Sequence, residues 1–219
     1  MTDASLAASP RPRTPAEAWA SMRAGNERFV AGAPLHPRQD VERRQEVAAG
    51  QSPHAALFGC ADSRLSAEII FDRGLGDLFV VRNAGQVISE SVIGSLEYAV
   101  TVLEVPLIVV LGHDSCGAVL AALDSVRDDA PPLPPHIANL VSRITPAVRR
   151  VHARTPGIAA HELDPSEVGR EHLRDTIGEL LARSTVMSEA IAGGTLAVIG
   201  ANYRLAAGRV EPDVIVGVV

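Results

Sequence analysis

Leu107-Ile108-Val109-Val110-Leu111-Gly112-His113-Asp114-Ser115-Cys116-Gly117 is the stretch that decides the fold. Five consecutive apolar residues without polar alternation mark a strand covered on both faces, as in parallel sheets. A helix is predicted to follow, from Cys116 to Val126. A second buried run, Ala55-Ala56-Leu57-Phe58-Gly59, leads directly into Cys60-Ala61-Asp62-Ser63-Arg64. Cys60 and Cys116 are the only cysteines in 219 residues, and each closes a strand-like run.

Further strands are predicted at Asp77–Val81, at Thr195–Gly200 and, as an edge strand, at Val214–Val219. Helices are predicted over Val87–Val105, where Val92, Leu96, Ala99 and Leu103 share one face. Others are expected over His136–Ala153 and Ser166–Ala192, after a Pro-rich break at Ala130–Pro135. Strands alternating with helices predict a single α/β domain. Its central sheet is mainly parallel with an antiparallel edge strand, and helices flank it. Upstream, Thr14, Pro15 and Glu17 form a capping box that starts a helix running to about Val30. A shorter helix is expected near Val41–Ala49. Residues 14–50 read as a helical arm packing on a partner subunit, and residues 1–13 as a flexible tail. The domain proper spans 14–219.

Composition narrows the function. All 20 basic residues are Arg, which excludes a Lys Schiff base and a phosphate loop ending in Lys. The net charge of −6 argues against nucleic acid or an anionic membrane as partner. No run approaches the roughly 18 apolar residues of a membrane span, and the start lacks the apolar core of a signal peptide. Two cysteines at the ends of different strands do not resemble a secreted disulfide framework. The cytoplasm is the expected compartment.

Ligand sites in parallel α/β folds lie at the carboxyl ends of strands. Cys60, His113 and Cys116 all fall there. Two thiolates and an imidazole can hold zinc and leave a fourth position for chemistry. Cys116 opens a helix, where the positive end of the dipole favours a thiolate. Arg64, two residues after Asp62, keeps that carboxylate ionised and directed. Asp62 can then accept a proton from the oxygen nucleophile, or can itself take the fourth zinc position and close the site.

Cys60-Ala61-Asp62-Ser63-Arg64 followed by His113-Asp114-Ser115-Cys116-Gly117 resembles the β-class carbonic anhydrases, of bacterial type with a plant-like active-site pattern. The resemblance extends from Gly25-Asn26-Glu27-Arg28-Phe29 through Gly50-Gln51-Ser52-Pro53 and Leu78-Phe79-Val80-Val81-Arg82-Asn83-Ala84-Gly85 to the final strand. It implies reversible hydration of carbon dioxide to bicarbonate and a proton by zinc-bound hydroxide, with one zinc ion per subunit on Cys60, His113 and Cys116. Asp62 and Arg64 are implied as the catalytic dyad, with Asp62 the fourth ligand in a closed form. Gln51 and the Gly117 N–H are implied to contact substrate. Phe79 and Tyr98 are implied as apolar walls, which can come from a neighbouring subunit of a homodimer or homotetramer. Ala84 stands where some relatives carry Val. Arg82 and Tyr203 match two members of a second, inhibitory bicarbonate site, but Leu57 replaces its Trp, so that regulation is not expected.

Other readings compete. His113-Asp114-Ser115-Cys116-Gly117 between strand and helix is similar to the nucleophile elbow of Ser or Cys hydrolases, although His113 replaces the first Gly. A structural zinc in a non-catalytic binding or sensor protein would need Asp62 as a permanent fourth ligand. Hydrolysis of carbon disulfide or carbonyl sulfide fits the same scaffold.

Overall fold

The structure, a computed structural model, describes residues 11–219. Five strands form one sheet: β1 (Ala55–Cys60), β2 (Leu78–Asn83), β3 (Leu107–His113), β4 (Ala197–Arg204) and β5 (Arg209–Val216). Their order is β2-β1-β3-β4-β5. The first four are mutually parallel and β5 is antiparallel to β4. This is the α/β architecture expected from the alternation of apolar runs.

The period-two alternation of strands sorts the core into two layers. Ala55, Leu57, Leu107, Val109, Leu111, Ala197 and Ile199 face one side. There they pack against α1 (Pro15–Val30), α3 (Ala67–Ile70), α5 (Gly117–Asp124), α6 (Pro135–Ser142) and α7 (Thr145–Arg154). Ala56, Phe58, Ile108, Val110 and Val198 face the other. Helices α4 (Glu90–Thr101), α8 (Pro165–Arg183) and α9 (Thr185–Ala192) cover them. Every residue of β1 and β3 is buried, which is why their sequences show no polar face.

Several boundaries differ from the sequence reading, each for a local reason. The helix expected over His136–Ala153 is two helices, α6 and α7, broken at Arg143–Ile144, with Pro146 in the first turn of the second. The helix expected over Ser166–Ala192 breaks at Ser184. Its hydroxyl accepts from Met187 N to cap α9 and donates to Glu97 Oε1 at 2.7 Å. The edge strand runs over Arg209–Val216 rather than Val214–Val219, because its partly exposed start carries Arg209, Glu211 and Asp213. The short helix α3 carries no sequence signal strong enough to predict it.

Helix α1 has the predicted capping box: Thr14 Oγ1 accepts from Glu17 N, and Glu17 accepts from Thr14 N. A second short helix, α2 (Val41–Glu46), ends in a 3-10 turn over Val47–Ala49. The arm is tied to its own chain. Ala18, Trp19 and Met22 are buried in the core, and Asn26 bonds the carbonyls of Ile70 and Gly208 and the N–H of Val210. Of the expected tail, residues 1–10 lie outside the described residues; Arg11 donates to the carbonyls of Pro53 and Leu103 at 2.8 Å. Among the described residues, no helix is long and apolar enough to cross a membrane.

Gly25 sets how closely α1 approaches. A Cβ there would lie 1.8 Å from the Phe71 carbonyl oxygen. Alanine gains about 1 kcal/mol of helix propensity over glycine, but the clash forces the helix off its seat. Gly25→Ala is therefore expected to destabilise the chain by about 1–3 kcal/mol in denaturant unfolding, as overpacked sites do. An unchanged or raised midpoint would contradict this packing.

Candidate metal centre

Strands β1 and β3 are neighbours, and their outgoing connections turn in opposite directions across the sheet. The crevice at their carboxyl ends is therefore a topological switch point. Cys60 ends β1, His113 ends β3, and Cys116 is the N-cap of α5. The two sulfurs and one imidazole nitrogen lie within 4.8 Å of one another, and all three residues are buried. Residues 53 positions apart in sequence thus converge because parallel pairing puts both strand ends at one edge.

The histidine is oriented by its own loop. His113 Nδ1 lies 2.8 Å from the Asp114 carbonyl oxygen, which can only accept, so Nδ1 carries the proton. Nε2 is left with a free lone pair, buried and without a protein partner among the described residues. The loop itself is pinned to the end of β4: Asp114 N donates to Tyr203 O, and Asp114 Oδ1 accepts from Leu205 N at 3.0 Å.

The two sulfurs influence each other's protonation. The neighbouring Cys116 thiol, with His113 and the Gly85 N–H also close by, pulls the Cys60 thiol down to about 4. Cys116 is pushed up because its proton is held against the Cys60 sulfur. Burial works against charging His113, but the neighbouring Cys60 sulfur outweighs this and raises it. A cation entering this cluster would displace those protons. Two sulfurs, an orphaned imidazole nitrogen and a ring fixed through its second nitrogen fit zinc.

Asp62 borders the cluster. Arg64 grips it three times: N to Oδ1 at 3.0 Å, Nε to Oδ1 at 2.9 Å and Nη2 to Oδ2 at 2.7 Å. Bonding to Arg64 holds the Asp62 carboxyl well below the usual carboxylate range, against the effect of burial. Asp62 Oδ2 stands 4.0 Å from His113 Nε2. In this geometry it faces Arg64 and is not one of the three clustered donors. Arg82, which sequence reading placed with Tyr203 and Leu57, is committed elsewhere. Its Nε donates to Cys60 O at 3.0 Å and its Nη2 to Asp62 O at 2.6 Å, fixing the turn that carries both residues.

Gly117 and Ala84 lie at the same end of the sheet, Gly117 opening α5 and Ala84 following β2. Gln51, Phe79 and Tyr98 do not. Phe79 is level with Ala56, whereas Cys60 is level with Asn83. At roughly 3.3 Å per residue those four steps come to about 13 Å. Gln51 precedes β1 altogether, beyond the end opposite Cys60. Phe79 and Tyr98 do meet each other, with ring centroids 6.1 Å apart. Ser115 offers only its carbonyl, to Arg64, and no histidine bonds its hydroxyl among the described residues, so the hydrolase reading lacks a base.

A family model described as carbonic anhydrase matches residues 55–210. The chain belongs to the β-carbonic anhydrase family. It is 53% identical over 195 residues to carbonic anhydrase 2 of Mycobacterium tuberculosis, covering 89% of this chain and 91% of that one. Among solved structures, a Coccomyxa β-carbonic anhydrase in complex with acetazolamide aligns with a TM-score of 0.68 at 28% identity, over 79% of this chain and 78% of that one. One of two tetrameric β-carbonic anhydrases from Sordaria macrospora aligns with a TM-score of 0.65 at 27% identity, over 77% and 84% respectively. Membership makes the chain an enzyme of the carbonic anhydrase class.

The donor set predicts a metal-binding hierarchy. Cys60→Ser and His113→Ala are each expected to lower zinc affinity by at least about tenfold, since removing even an outer partner of a ligand costs that much. Asp62→Ala is expected to retain zinc. Equilibrium dialysis with metal analysis reads this, and zinc loss in Asp62→Ala alone would contradict the three-donor assignment.

Proposed function

We propose that this β-carbonic anhydrase hydrates carbon dioxide reversibly to bicarbonate and a proton, using one zinc ion per chain held by Cys60, His113 and Cys116. The observation that carries this reading is the buried, unpartnered His113 Nε2 facing two sulfurs beside a carboxylate fixed by Arg64. When bound, zinc supplies Lewis acidity that brings a water molecule towards ionisation near neutral pH.

The chain's own residues do the rest. Asp62 is ionised, so it can only accept: it takes a hydrogen bond from the attacking water and aims the remaining lone pair at the substrate carbon. Arg64 holds both carboxylate oxygens and so fixes that direction. The Gly117 N–H, in the first turn of α5, would donate to a substrate oxygen as negative charge grows there. Released from Arg64, Asp62 can instead enter the donor set as fourth ligand and close the site.

The functional unit in this reading is a homodimer or homotetramer. Among the described residues the outer edge of β2 is unpaired, its residues Leu78–Val81 are only half-buried, and Tyr98 is 44% exposed. Gln51, Phe79 and Tyr98 cannot reach the donors of their own chain, so they would serve a neighbour's site, with Ala84 lining its own. Two free thiols at the centre suit the reducing cytoplasm.

Stopped-flow carbon dioxide hydration tests the reading. The zinc-loaded chain is expected to turn over fast, with a rate that rises from neutral to alkaline pH. That rise belongs to the attacking water, because the Asp62 carboxyl is already ionised well below this range. Asp62→Asn and Arg64→Ala should each lose about 100-fold or more, in line with removing a group that positions the nucleophile's proton. Full activity in either variant, or turnover of carbonyl sulfide but not carbon dioxide, would overturn the proposal.

A further inference from the structure

His172 lies on α8 and is 3% exposed, yet it reaches the metal centre through one residue. Its Nε2 is 2.7 Å from the Gly85 carbonyl oxygen. The N–H of the same Gly85 donates to Cys60 Sγ at 3.3 Å. Because a carbonyl can only accept, His172 carries its proton on Nε2, and its buried Nδ1 has no protein partner among the described residues. Burial lowers the basicity of this ring, which keeps it neutral with that single N–H.

The segment so held would not keep its shape unaided. Gly85 and Gln86 are consecutive residues with positive φ, +73° and +40°. Glycine tolerates this; glutamine does so at a cost. A Cβ on Gly85 would sit 2.8 Å from Ala118 Cβ, on the helix that Cys116 caps. Thr176 lies one turn further along α8. Its hydroxyl donates to His172 O at 2.9 Å and lies 3.4 Å from Gln86 O. Helix α8 therefore grips both residues of the turn from behind.

An N–H bond to a metal thiolate draws electron density from the sulfur and fixes its direction. This matters where two thiolates oppose the metal's charge. We propose that His172 is a positioning residue: by holding the Gly85 turn it fixes the N–H that the Cys60 sulfur accepts, and so sets how firmly zinc is held and how strongly that sulfur donates. This inference rests on the zinc reading above.

The test compares four full-length proteins. His172→Phe keeps an aromatic ring, somewhat larger, and removes the N–H; His172→Gln keeps an N–H donor of similar reach; Ile177→Val disturbs the same helix and core without touching the turn; the unaltered chain is the reference. Two readouts are zinc release to a chromophoric chelator and the thiolate-to-metal charge-transfer band after cobalt(II) substitution. His172→Phe is expected to release zinc at least about tenfold faster, the range seen when outer partners of metal ligands are removed, and to shift the cobalt band. His172→Gln should restore most of both, and Ile177→Val should leave both unchanged. His172→Leu replaces the Phe variant should the larger ring not fold. Release and band in the Phe or Leu variant equal to those of Ile177→Val, or no restoration by Gln, would overturn the role of His172. Failure of the unaltered chain itself to bind either metal would overturn the zinc reading instead, and that outcome is seen before any variant is made.

Discussion

The parallel pairing of β1 with β3 is the constraint on which the rest depends. It places Cys60 and His113 at one edge of the sheet, and it does so only because both strands are buried on both faces. The hydrophobic layers on either side are thus the source of the site's geometry. Leu57, Leu111 and Val109 on one face, with Phe58, Ile108 and Val110 on the other, lock the register that brings sulfur and nitrogen together. A one-residue slip would turn every one of these side chains to the opposite layer. The third donor needs no long-range pairing, since Cys116 follows His113 in the same loop and caps α5.

Around these donors the polar groups are assigned with little redundancy. Arg64 orients Asp62, Arg82 fixes the carbonyls of Cys60 and Asp62, Asp114 binds the histidine loop to the end of β4, and Gly85 donates to Cys60. Each bond is local to the crevice, but the residues that make it come from β2 and from the turns after β1, β2, β3 and β4. Orientation of the donors is thus a property of the whole sheet edge. Gln51, Phe79 and Tyr98 collect at the opposite end of the strands.

Much of this was legible in the sequence, for identifiable reasons. Unbroken apolar runs announce doubly covered strands, and a capping box fixes the start of α1 to the residue. Cysteine, histidine, aspartate and arginine at strand ends are rare enough together to name their chemistry. What escaped was set by tertiary contact. The breaks at Ile144 and Ser184 depend on packing and caps within otherwise helical patterns. The polar start of β5 reads as loop until β4 pairs with it. His172 and Gly85 gave no signal, because their link to Cys60 runs through backbone groups and a left-handed turn that no side-chain pattern encodes. Only the glycine itself, immediately after β2, could have hinted at a close approach.

The ends of β1 and β3 are proposed to build a three-donor zinc site with its fourth position open. X-ray absorption at the zinc edge of the unaltered, zinc-loaded protein at alkaline pH tests it most directly. Two sulfur neighbours at about 2.3 Å are expected, with nitrogen or oxygen neighbours at about 2.0–2.1 Å that change when azide is added. A shell with any other number of sulfurs, or one that azide leaves untouched, would contradict it.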